Sequence, residues 1–306
     1  MDPFLDLIQL LRPRATLWGG TDGAGRWGLA FHKRDDLLFC WVERGECQLV
    51  RPQKTPVRLQ TDDFVLIRTS TPFTLTSDPT VEPQDSETMT GVTKGARRKL
   101  GEGAELPVTL HAGKFVFDTA NEDLLTDLLP SLVHIAAGDA SSWRVRTLLE
   151  MNERESLQPG PGNEFIIARL MELILVEILR NHGLTAGQEA AGMLAGLANP
   201  ITAQALSAMH REVAHDWTVS SLAKHCGVSR SKFATLFPKV VGKGPIEYLI
   251  RWRMALAKDE LRRGTQSISE IAFNVGFQSA SAFSTAFSRV VGCSPKRYAL
   301  SVRSGQ

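Results

Sequence analysis

The sequence of this 306-residue chain has no long hydrophobic run. A membrane-spanning helix needs about 20 consecutive, mostly apolar residues, whereas the apolar segment 166–178 is interrupted by Arg169, Glu172 and Glu177. The N-terminus, MDPFLDLIQLLRPR, starts with acidic residues and has no small-residue cleavage site, which is not typical of a secretory signal. These absences predict a cytoplasmic protein with no membrane partner.

Cysteine is scarce, and none of the four cysteines belongs to a C-x-x-C pair or a cysteine–histidine cluster. Neither a metal site nor a disulfide framework is therefore predicted. Cys40 and Cys47 are seven residues apart and could be neighbours across a hairpin. They are interpreted either as buried, reduced thiols, the common state of free cysteine, or as a redox-sensing pair.

Common catalytic motifs are also missing. The sequence has no Gly-x-Ser-x-Gly elbow and no phosphate-binding loop. No catalytic residue and no cofactor is therefore predicted, and the chain is not expected to be an enzyme.

Charge is unevenly distributed along a chain whose formal net charge is only +2. Residues 199–306 contain 15 Lys and Arg against 6 Asp and Glu, whereas residues 1–198 contain 20 against 27. A basic C-terminal third favours a polyanionic partner such as nucleic acid. A solvated basic face is the alternative.

Residues 26–75 have the pattern of short β-strands, rich in Val, Leu, Phe, Trp and Thr. Turn signals separate these strands at 34–36, 45–46 and 62–63. The pattern returns at 108–118, and such spacing is typical of an antiparallel sandwich or barrel. The polar segment 77–107, which includes the basic run 94–99, is predicted to be a long loop.

Helical periodicity follows, in a short helix at 124–135 and more strongly at 142–156 and 164–182. Asn163 and Gly183 are the predicted N-cap and stop of the last of these helices. That helix is apolar on more than one face, which usually means two packing partners. We predict that it forms a homodimer interface, with burial inside its own domain as the alternative.

The C-terminal third contains an internal repeat. Segment 218–248 matches segment 267–298 at an offset of 49 residues and, after one inserted residue, of 50. The matched pairs include Ala223/Ala272, Gly227/Gly276, Ser229/Ser279, Ser231/Ser281, Phe233/Phe283, Phe237/Phe287, Gly242/Gly292, Pro245/Pro295 and Tyr248/Tyr298. The repeated unit therefore has a conserved internal pattern of caps, turns and apolar positions.

Each copy has the pattern of a helix, a tight turn and a second helix. Thr218 and Ser267 are predicted N-caps of the first helices, and the glycines suit a left-handed turn between the helices. Phenylalanines spaced four apart share the buried face of each second helix. Units 218–241 and 267–291 are therefore predicted to be helix-turn-helix motifs, whose second helix enters the DNA major groove.

A helix is predicted between the two copies, from Pro245 to Gly264. About 18 helical residues span roughly 27 Å at 1.5 Å each. Such a spacer suits two recognition helices that are about one DNA turn, roughly 34 Å, apart. One protomer is therefore expected to bind two successive major grooves.

These motifs carry a resemblance to a known family. The segment SISEIAFNVGFQSASAFSTAFSRVVGCSPKRY (267–298) closely resembles the signature of AraC/XylS-type bacterial transcription regulators, and residues 200–300 resemble their DNA-binding domain. The segments RWGLAFH, GECQLV and DDFVLIRTSTPFTLTSDP, with the N-terminal MDPFLDLIQLLRPR, resemble the cupin-like sensing domain of one AraC-type subgroup.

The resemblance implies an α+β protein, with an N-terminal cupin-like β-barrel and trailing helices and a C-terminal all-α domain with two helix-turn-helix units. The expected organisation is a sensing and dimerisation domain at 1–183, a linker at 184–199 and a DNA-binding domain at 200–302. The expected function is sequence-specific transcription regulation, as an activator or a repressor. Expected partners are double-stranded promoter DNA, a second copy of the chain, an unknown small-molecule effector and, for an activator, RNA polymerase.

Helix geometry and the resemblance together give candidate DNA contacts on the outer faces of the second helices. The candidates for base contacts are Arg230, Ser231, Lys232, Ala234, Thr235, Gln278, Ser281, Ala282, Ser284 and Thr285. The candidates for phosphate contacts are Lys239, Lys243, Arg251, Arg253, Arg289 and Lys296. For any single position, a solvated side chain without a DNA contact is the alternative.

The sensing domain offers fewer specific residues. No His-x-His lies near Gly45, and Phe73 stands after Pro72, where cupin relatives often have His. The histidines His32 and His111 are isolated, so no metal is predicted. An effector pocket is expected to be lined by Trp27, Phe39, Trp41 and Phe73, although each could equally be ordinary barrel packing.

Two further hypotheses remain open. A cupin enzyme fused to a DNA-binding domain should lose its response when its few histidines are mutated, whereas a metal-free regulator should keep it. A constitutive DNA-binding protein with a structural N-terminal domain should give ligand-independent promoter activity in a reporter assay.

Overall fold

The computed structural model describes residues 2–34, 37–89, 98–103, 107–116, 131–139, 142–158, 160–185 and 192–304. Its contacts group the chain into two compact units. The barrel unit contains the described residues of 13–116 and 130–182, and the helical unit contains those of 1–12 and 183–306. The first twelve residues therefore pack with the C-terminal part of the chain, whereas the sequence analysis placed them in the sensing domain.

The barrel unit consists of two β-sheets. Its strands are β1 (Arg14–Gly23), β2 (Gly28–Phe31), β3 (Leu37–Arg44), β4 (Glu46–Val50), β5 (Val57–Gln60), β6 (Phe64–Arg68), β7 (Phe73–Thr76), β8 (Gln84–Asp85), β9 (Arg98–Leu100), β10 (Val108–Val116) and β11 (Leu132–Ile135). One sheet has the order β11-β6-β3-β10-β1-β9 and the other β5-β4-β7-β2-β8. Pairing is antiparallel except at the edges, where β1/β9 and β2/β8 are parallel.

The core of this unit lies between the two sheets. Alternate residues of β3, Leu38, Cys40 and Val42, belong to one buried cluster with Leu49 and Leu75 of the other sheet. The opposite face of β3 is also buried, and its Phe39 ring lies 5.1 Å from that of Phe115. Burial on both faces explains why the sequence of β3 is a continuous apolar run instead of an alternating one.

In the segment 37–50, the hairpin that was expected to bring Cys40 and Cys47 together is not formed. Strands β3 and β4 are consecutive, but they belong to different sheets and the chain crosses between them at Gly45. Cys40 and Cys47 are therefore not neighbours across a hairpin. Both thiols instead lie in the buried cluster between the sheets.

Other strand boundaries differ from the sequence predictions as well. Strand β1, which pairs with β10, was not predicted. The predicted helix 124–135 is wrong at its C-terminal end, because Leu132–Ile135 pairs with β6 as strand β11, and its residues 124–130 lie outside the described ones. The predicted loop 77–107 contains β8, β9 and a 3₁₀ helix at Ser86–Met89. Residues 94–97 of its basic run lie outside the described residues.

Two long helices complete the barrel unit, α2 (Ser142–Leu157) and α3 (Asn163–Thr185). Helix α3 buries Leu170, Met171, Ile174, Leu175, Ile178 and Leu179 along one face. None of the helices that the structure describes is both long and apolar enough to span a membrane.

Among the residues that the structure describes, the helical unit contains α1 (Pro3–Leu11) and eight C-terminal helices. These are α4 (Met193–Ala198), α5 (Pro200–Arg211), α6 (Val219–His225), α7 (Arg230–Val241), α8 (Pro245–Arg263), α9 (Ile268–Asn274), α10 (Ala280–Val291) and α11 (Pro295–Ser304). Helix α4 lies within the predicted linker 184–199. It is packed, since Met193 is fully buried and Gly196 lies against Leu206 and Val241.

Helix α1 packs against α5 and α8 of the helical unit. Asp2 caps its N-terminus by accepting a hydrogen bond from the amide of Phe4, and Arg12 ends it in the left-handed conformation. Leu7 and Leu11, one turn apart, are almost completely buried. The apolar face of this short helix is therefore part of the core of the helical unit.

Polar contacts join α1 to the same two helices. His210 Nδ1 lies 3.1 Å from a carboxylate oxygen of Asp6, and His210 Nε2 lies 2.8 Å from the hydroxyl of Tyr248. Burial lowers the pKa of His210 although Asp6 opposes this shift, so the neutral imidazole is favoured. Arg12 forms a 3.3 Å ion pair with the buried Asp259.

We expect Leu11→Ala to destabilise the helical unit by about 2–5 kcal/mol, the usual cost of a leucine cavity in a core. Leu5→Ala on the same helix is the matched control, because Leu5 is 51% exposed, and it should cost less than about 0.5 kcal/mol. Hydrogen exchange of the α8 amides in the full chain measures the difference. Equal protection in the two variants would show that α1 does not contribute to this core.

Candidate nucleic-acid interface

The first helix-turn-helix unit consists of α6 and α7. Thr218 caps α6 in a capping box with Ser221, and Ser229 caps α7 by accepting from the amide of Lys232. Gly227, in the turn between the helices, has a φ of 66°. The predicted caps and left-handed turn of this unit are therefore confirmed.

The second unit, α9 and α10, repeats the same local structure. Ser267 and Glu270 form a capping box at the start of α9, and Ser279 accepts from the amide of Ala282 at the start of α10. Gly276 occupies the turn with a φ of 82°. The repeat seen in the sequence therefore corresponds to two copies of one supersecondary structure.

The second helix of each unit is anchored by two phenylalanines. The rings of Phe233 and Phe237 are 5.5 Å apart, as are those of Phe283 and Phe287, and all four side chains are fully buried. Burial of this face fixes the rotation of each helix about its axis, so the opposite face is presented to solvent.

Helix α8 connects the two units, as predicted. It begins with Pro245 at its first turn and ends at Gly264 in the left-handed conformation. Its 19 residues correspond to roughly 28 Å of helix at 1.5 Å per residue. Tyr248, Leu249 and Trp252 are buried along it, so it is a packed strut between the units.

Arg253 has a different role from the predicted phosphate contact. Its side chain is only 8% exposed, and its guanidinium donates to the carbonyls of Val213 at 2.9 Å and His215 at 2.8 Å. It also lies over the ring of Phe277 in the second unit. Arg253 therefore holds the segment before α6 against α8 and against the turn of the second helix-turn-helix unit.

The turn at Gly276 is part of the same contact. A Cβ atom at this position would lie 2.7 Å from the backbone of Ala214 and 2.6 Å from the guanidinium of Arg253. Glycine is required here by both the backbone angle and the close approach. The sequence indicates a turn at Gly276, but it contains no local signal for this close approach between distant segments.

The candidate base-contacting residues lie on the outward faces of α7 and α10 or in the turn before α10. Nine of them are exposed and one, Ser284, is half-buried. The face of α7 carries Arg230 and Lys232, whereas that of α10 carries Ser281, Ala282 and Thr285 with no charge. The structure thus brings the predicted residues to two equivalent surfaces of different polarity.

The remaining phosphate candidates are all accessible. Lys239, Arg289 and Lys296 are exposed, and Lys243 and Arg251 are half-buried. Arg251 and Arg289 line a common groove of about 450 Å³ between α8 and α10, together with Glu247, Ile250 and Val290. Arg251 also pairs with Glu247 at 3.3 Å within α8.

The predicted effector residues have different surroundings in the barrel. Phe39 and Phe73 line a cavity of only about 10 Å³, together with Cys40 and Leu75 among others. Trp27 belongs to the core between the sheets, and Trp41 stacks on His111 with ring centroids 5.2 Å apart. In this structure the four aromatic residues are therefore packing residues of the barrel.

Neither the histidines nor the cysteines of the barrel form a metal or redox site in the part of the chain that the structure describes. His111 pairs with Glu43 at 2.6 Å and His32 with Asp85 at 3.1 Å, and no group of three possible metal ligands occurs among the described residues. Burial raises the pKa of Cys40 and raises that of Cys47 to about 12. Both thiols are thus kept protonated near neutral pH, which disfavours a thiolate-based redox reaction.

Comparison with known proteins agrees with this architecture. Residues 2–183 match the family described as Cupin, and residues 222–301 match the family described as Helix-turn-helix domain. An AraC-like transcription regulator of Streptomyces lividans is 38% identical over 97% of this chain and 98% of its own length. The HTH-type transcriptional regulator AlkR of Acinetobacter baylyi is 31% identical over 90% of this chain and 91% of its own.

Among solved structures, the DNA-binding domain of AdpA in complex with a target DNA is 28% identical, with a TM-score of 0.34, and covers 35% of this chain and 96% of that one. The fold class predicted from the sequence is confirmed by the family matches and the two units described above. Because these regulators are 38% and 31% identical to the chain over nearly their full lengths, the chain belongs to the family of AraC-like transcription regulators.

Proposed function

We propose that the chain regulates transcription by inserting α7 and α10 into two successive major grooves of one DNA face. The observation that carries this proposal is the pair of equivalent, outward-facing helix surfaces joined by the buried strut α8. Arg230, Ser231, Lys232, Ala234 and Thr235 would contact bases from α7. The second set would be Gln278, Ser281, Ala282, Ser284 and Thr285, from α10 and the turn before it.

A footprint of the full chain on promoter DNA tests this proposal. We expect two protected major grooves per protomer, about one helical turn apart, because the roughly 28 Å helix α8 that connects the two units is compatible with that spacing. Protection of one groove, or of no promoter sequence, would contradict the proposal.

Backbone phosphates are proposed to be bound by Lys239, Lys243, Arg251, Arg289 and Lys296. Each of these side chains is exposed or half-buried near one of the recognition helices or at the start of α11. Such contacts position the protein without selecting a sequence. Arg253 is left out of this set because its guanidinium is committed to backbone carbonyls.

We expect Lys239→Ala to weaken binding to all DNA sequences and to reduce the slope of log K against log salt concentration by about one unit. Lys54→Ala, an exposed lysine of the barrel unit, is the matched control and should leave the slope unchanged. Arg253→Ala should keep the slope but lower the melting temperature, because two backbone carbonyls lose their donor. A reduced slope for Arg253→Ala, or an unchanged slope for Lys239→Ala, would contradict these assignments.

The regulator is proposed to act as a homodimer through α3. Opposite its buried face, α3 exposes Phe165, Ile166 and Leu173 at 67%, 39% and 50%. Ile166 and Leu173 are seven residues apart and so lie on one stripe of the helix. The neighbouring helix α2 exposes Trp143 and Met151 in the same unit. An apolar surface of this kind favours association with a second copy.

We expect Leu173→Glu to shift the chain from dimer to monomer, since a carboxylate in an apolar contact loses its hydration without gaining a partner. Leu300→Glu is the control, because Leu300 is similarly exposed, at 58%, on α11 of the helical unit. Sedimentation velocity measures both. If Leu173→Glu sediments like the unmodified chain, the dimer contact lies elsewhere.

The barrel unit is proposed to sense a small molecule; a redox signal, the other possibility, is disfavoured by the raised pKa values of Cys40 and Cys47. Helix α1 supports communication between the units, because it packs in the helical unit and is followed after Pro13 by β1 of the barrel. The cavity between the sheets is too small for an effector without rearrangement of its side chains. We therefore infer that effector binding would open the barrel interior and alter β1, the strand attached to α1.

Cellular context completes the proposal. A regulator that binds promoter DNA would act in the cytoplasm, and as an activator it would also contact RNA polymerase. The relatives are named as transcription regulators, and on this basis the chain is proposed to regulate transcription instead of catalysing a reaction. A cupin enzyme fused to a DNA-binding domain is the alternative function.

A further inference from the structure

Thr235 and Thr285 occupy equivalent positions in the two recognition helices, 50 residues apart in the repeat. Both side chains are exposed. The hydroxyl of Thr235 donates to the carbonyl of Ser231 at 3.1 Å, and that of Thr285 donates to the carbonyl of Ser281 at 3.1 Å. In both helices the only hydrogen of the threonine hydroxyl is therefore committed to the preceding helical turn.

This arrangement changes what the two threonines offer to DNA. A hydroxyl that is bonded to the helix backbone cannot donate to a base at the same time. The methyl group on the same Cβ atom remains as the apolar part of an exposed side chain. Among the four bases, thymine alone has a methyl group at its major-groove edge, and threonine methyl groups are suitable partners for it.

We propose that Thr235 and Thr285 each pack their methyl group against the 5-methyl group of a thymine, and so select thymine at equivalent positions of two successive major grooves. This inference rests on the proposed base contacts of α7 and α10. It assigns to both helices a specificity that does not depend on charge.

The surroundings of the two threonines differ. Arg230 and Lys232 accompany Thr235 on α7, whereas Ser281 and Ala282 accompany Thr285 on α10. The Cβ of Ala282 adds a second small apolar group to the surface of α10. A larger share of base selection by α10 should therefore depend on methyl contacts, and Thr285 is the more sensitive site for a test.

The hydroxyl oxygen offers an alternative way to contact a base. Its lone pairs could accept a hydrogen bond from the amino group of adenine or cytosine while its hydrogen stays bonded to the helix. Valine and serine separate the two possibilities, because valine keeps the methyl group and serine keeps the hydroxyl. Contact with a deoxyribose carbon is a third arrangement, and it would not respond to removal of the thymine methyl group.

The experiment begins with selection of bound sequences from a random DNA pool by the full chain. Each thymine of the selected site is then replaced singly by deoxyuridine, and the affinity is measured for the unmodified chain, Thr285→Ser and Thr285→Val. Loss of one methyl contact should weaken binding roughly fourfold. We expect this loss for deoxyuridine at one position per groove and for Thr285→Ser on the thymine site.

Combination of the two changes gives the decisive comparison. Thr285→Ser should no longer respond to deoxyuridine at its own position, whereas Thr285→Val, which keeps the methyl group, should keep the response. Equal loss in the serine and valine variants, or no response to deoxyuridine at any position, would overturn the inference. Thr235 variants should behave in the same way at the other groove, with a smaller effect.

Thr147 on α2 supplies a matched control within the chain. It is exposed, and its hydroxyl donates to the carbonyl of Trp143 at 2.8 Å, as the two recognition threonines do to theirs. Thr147→Ser should leave DNA affinity unchanged, and melting curves confirm that all variants are folded. A selection without a common site would remove the proposed base contacts and this inference together, whereas a common site without methyl dependence would remove the inference alone.

Discussion

The arrangement of the helical unit depends on the contact of Arg253 with the carbonyls of Val213 and His215. This side chain belongs to the strut α8, its acceptors precede the first helix-turn-helix unit, and Gly276 of the second unit lies against the same guanidinium. Three segments distant in sequence thus meet at one buried cation. Desolvation lowers the pKa of Arg253, and the cost of burying the charge is offset by hydrogen bonds to the carbonyls. The relative placement of the two helix-turn-helix units therefore depends on this specific polar contact as well as on their apolar cores.

Helix α1 adds a second constraint on the same strut. Its carboxylate partner Asp259 also accepts ion pairs from Arg262 and Arg263, at 2.9 and 2.8 Å. Loss of Arg12 would leave this carboxylate paired, and loss of Asp6 would leave His210 bonded to Tyr248. Removal of either polar partner on α1 should therefore cost little stability, whereas removal of a buried leucine would leave a cavity. Helix α1 is therefore docked mainly through its apolar face, and its polar contacts add little that is not also supplied by other residues.

The helix-turn-helix units were predictable in detail, because their caps, turns and apolar positions are local signals that the repeat displays twice. Thr218, Ser267 and the paired phenylalanines took the roles that their spacing indicated. The errors concern non-local packing. Whether Arg253 faces solvent or a carbonyl depends on a segment 40 residues away, and the place of α1 depends on residues some 200 positions later. Likewise, runs of strand-forming residues located several strands of the barrel, but they missed β1 and β11 and could not show that β3 and β4 belong to different sheets.

The two proposed recognition helices differ in the interactions that would align them in the major groove. Helix α7 carries Arg230, Lys232 and Lys239, and attraction to phosphates can help to align such a basic helix in the groove. Helix α10 has Arg289 near its end as its only charge, so electrostatic attraction contributes much less to its alignment. Its position must be imposed by the protein, through Phe283, Phe287 and the Gly276–Arg253 contact at its entry turn. Methyl contacts act over short distances and tolerate little displacement. If α10 selects thymine through methyl contacts, it must be held closely in position, and the buried Arg253 supports its entry turn where charge on the helix itself does not.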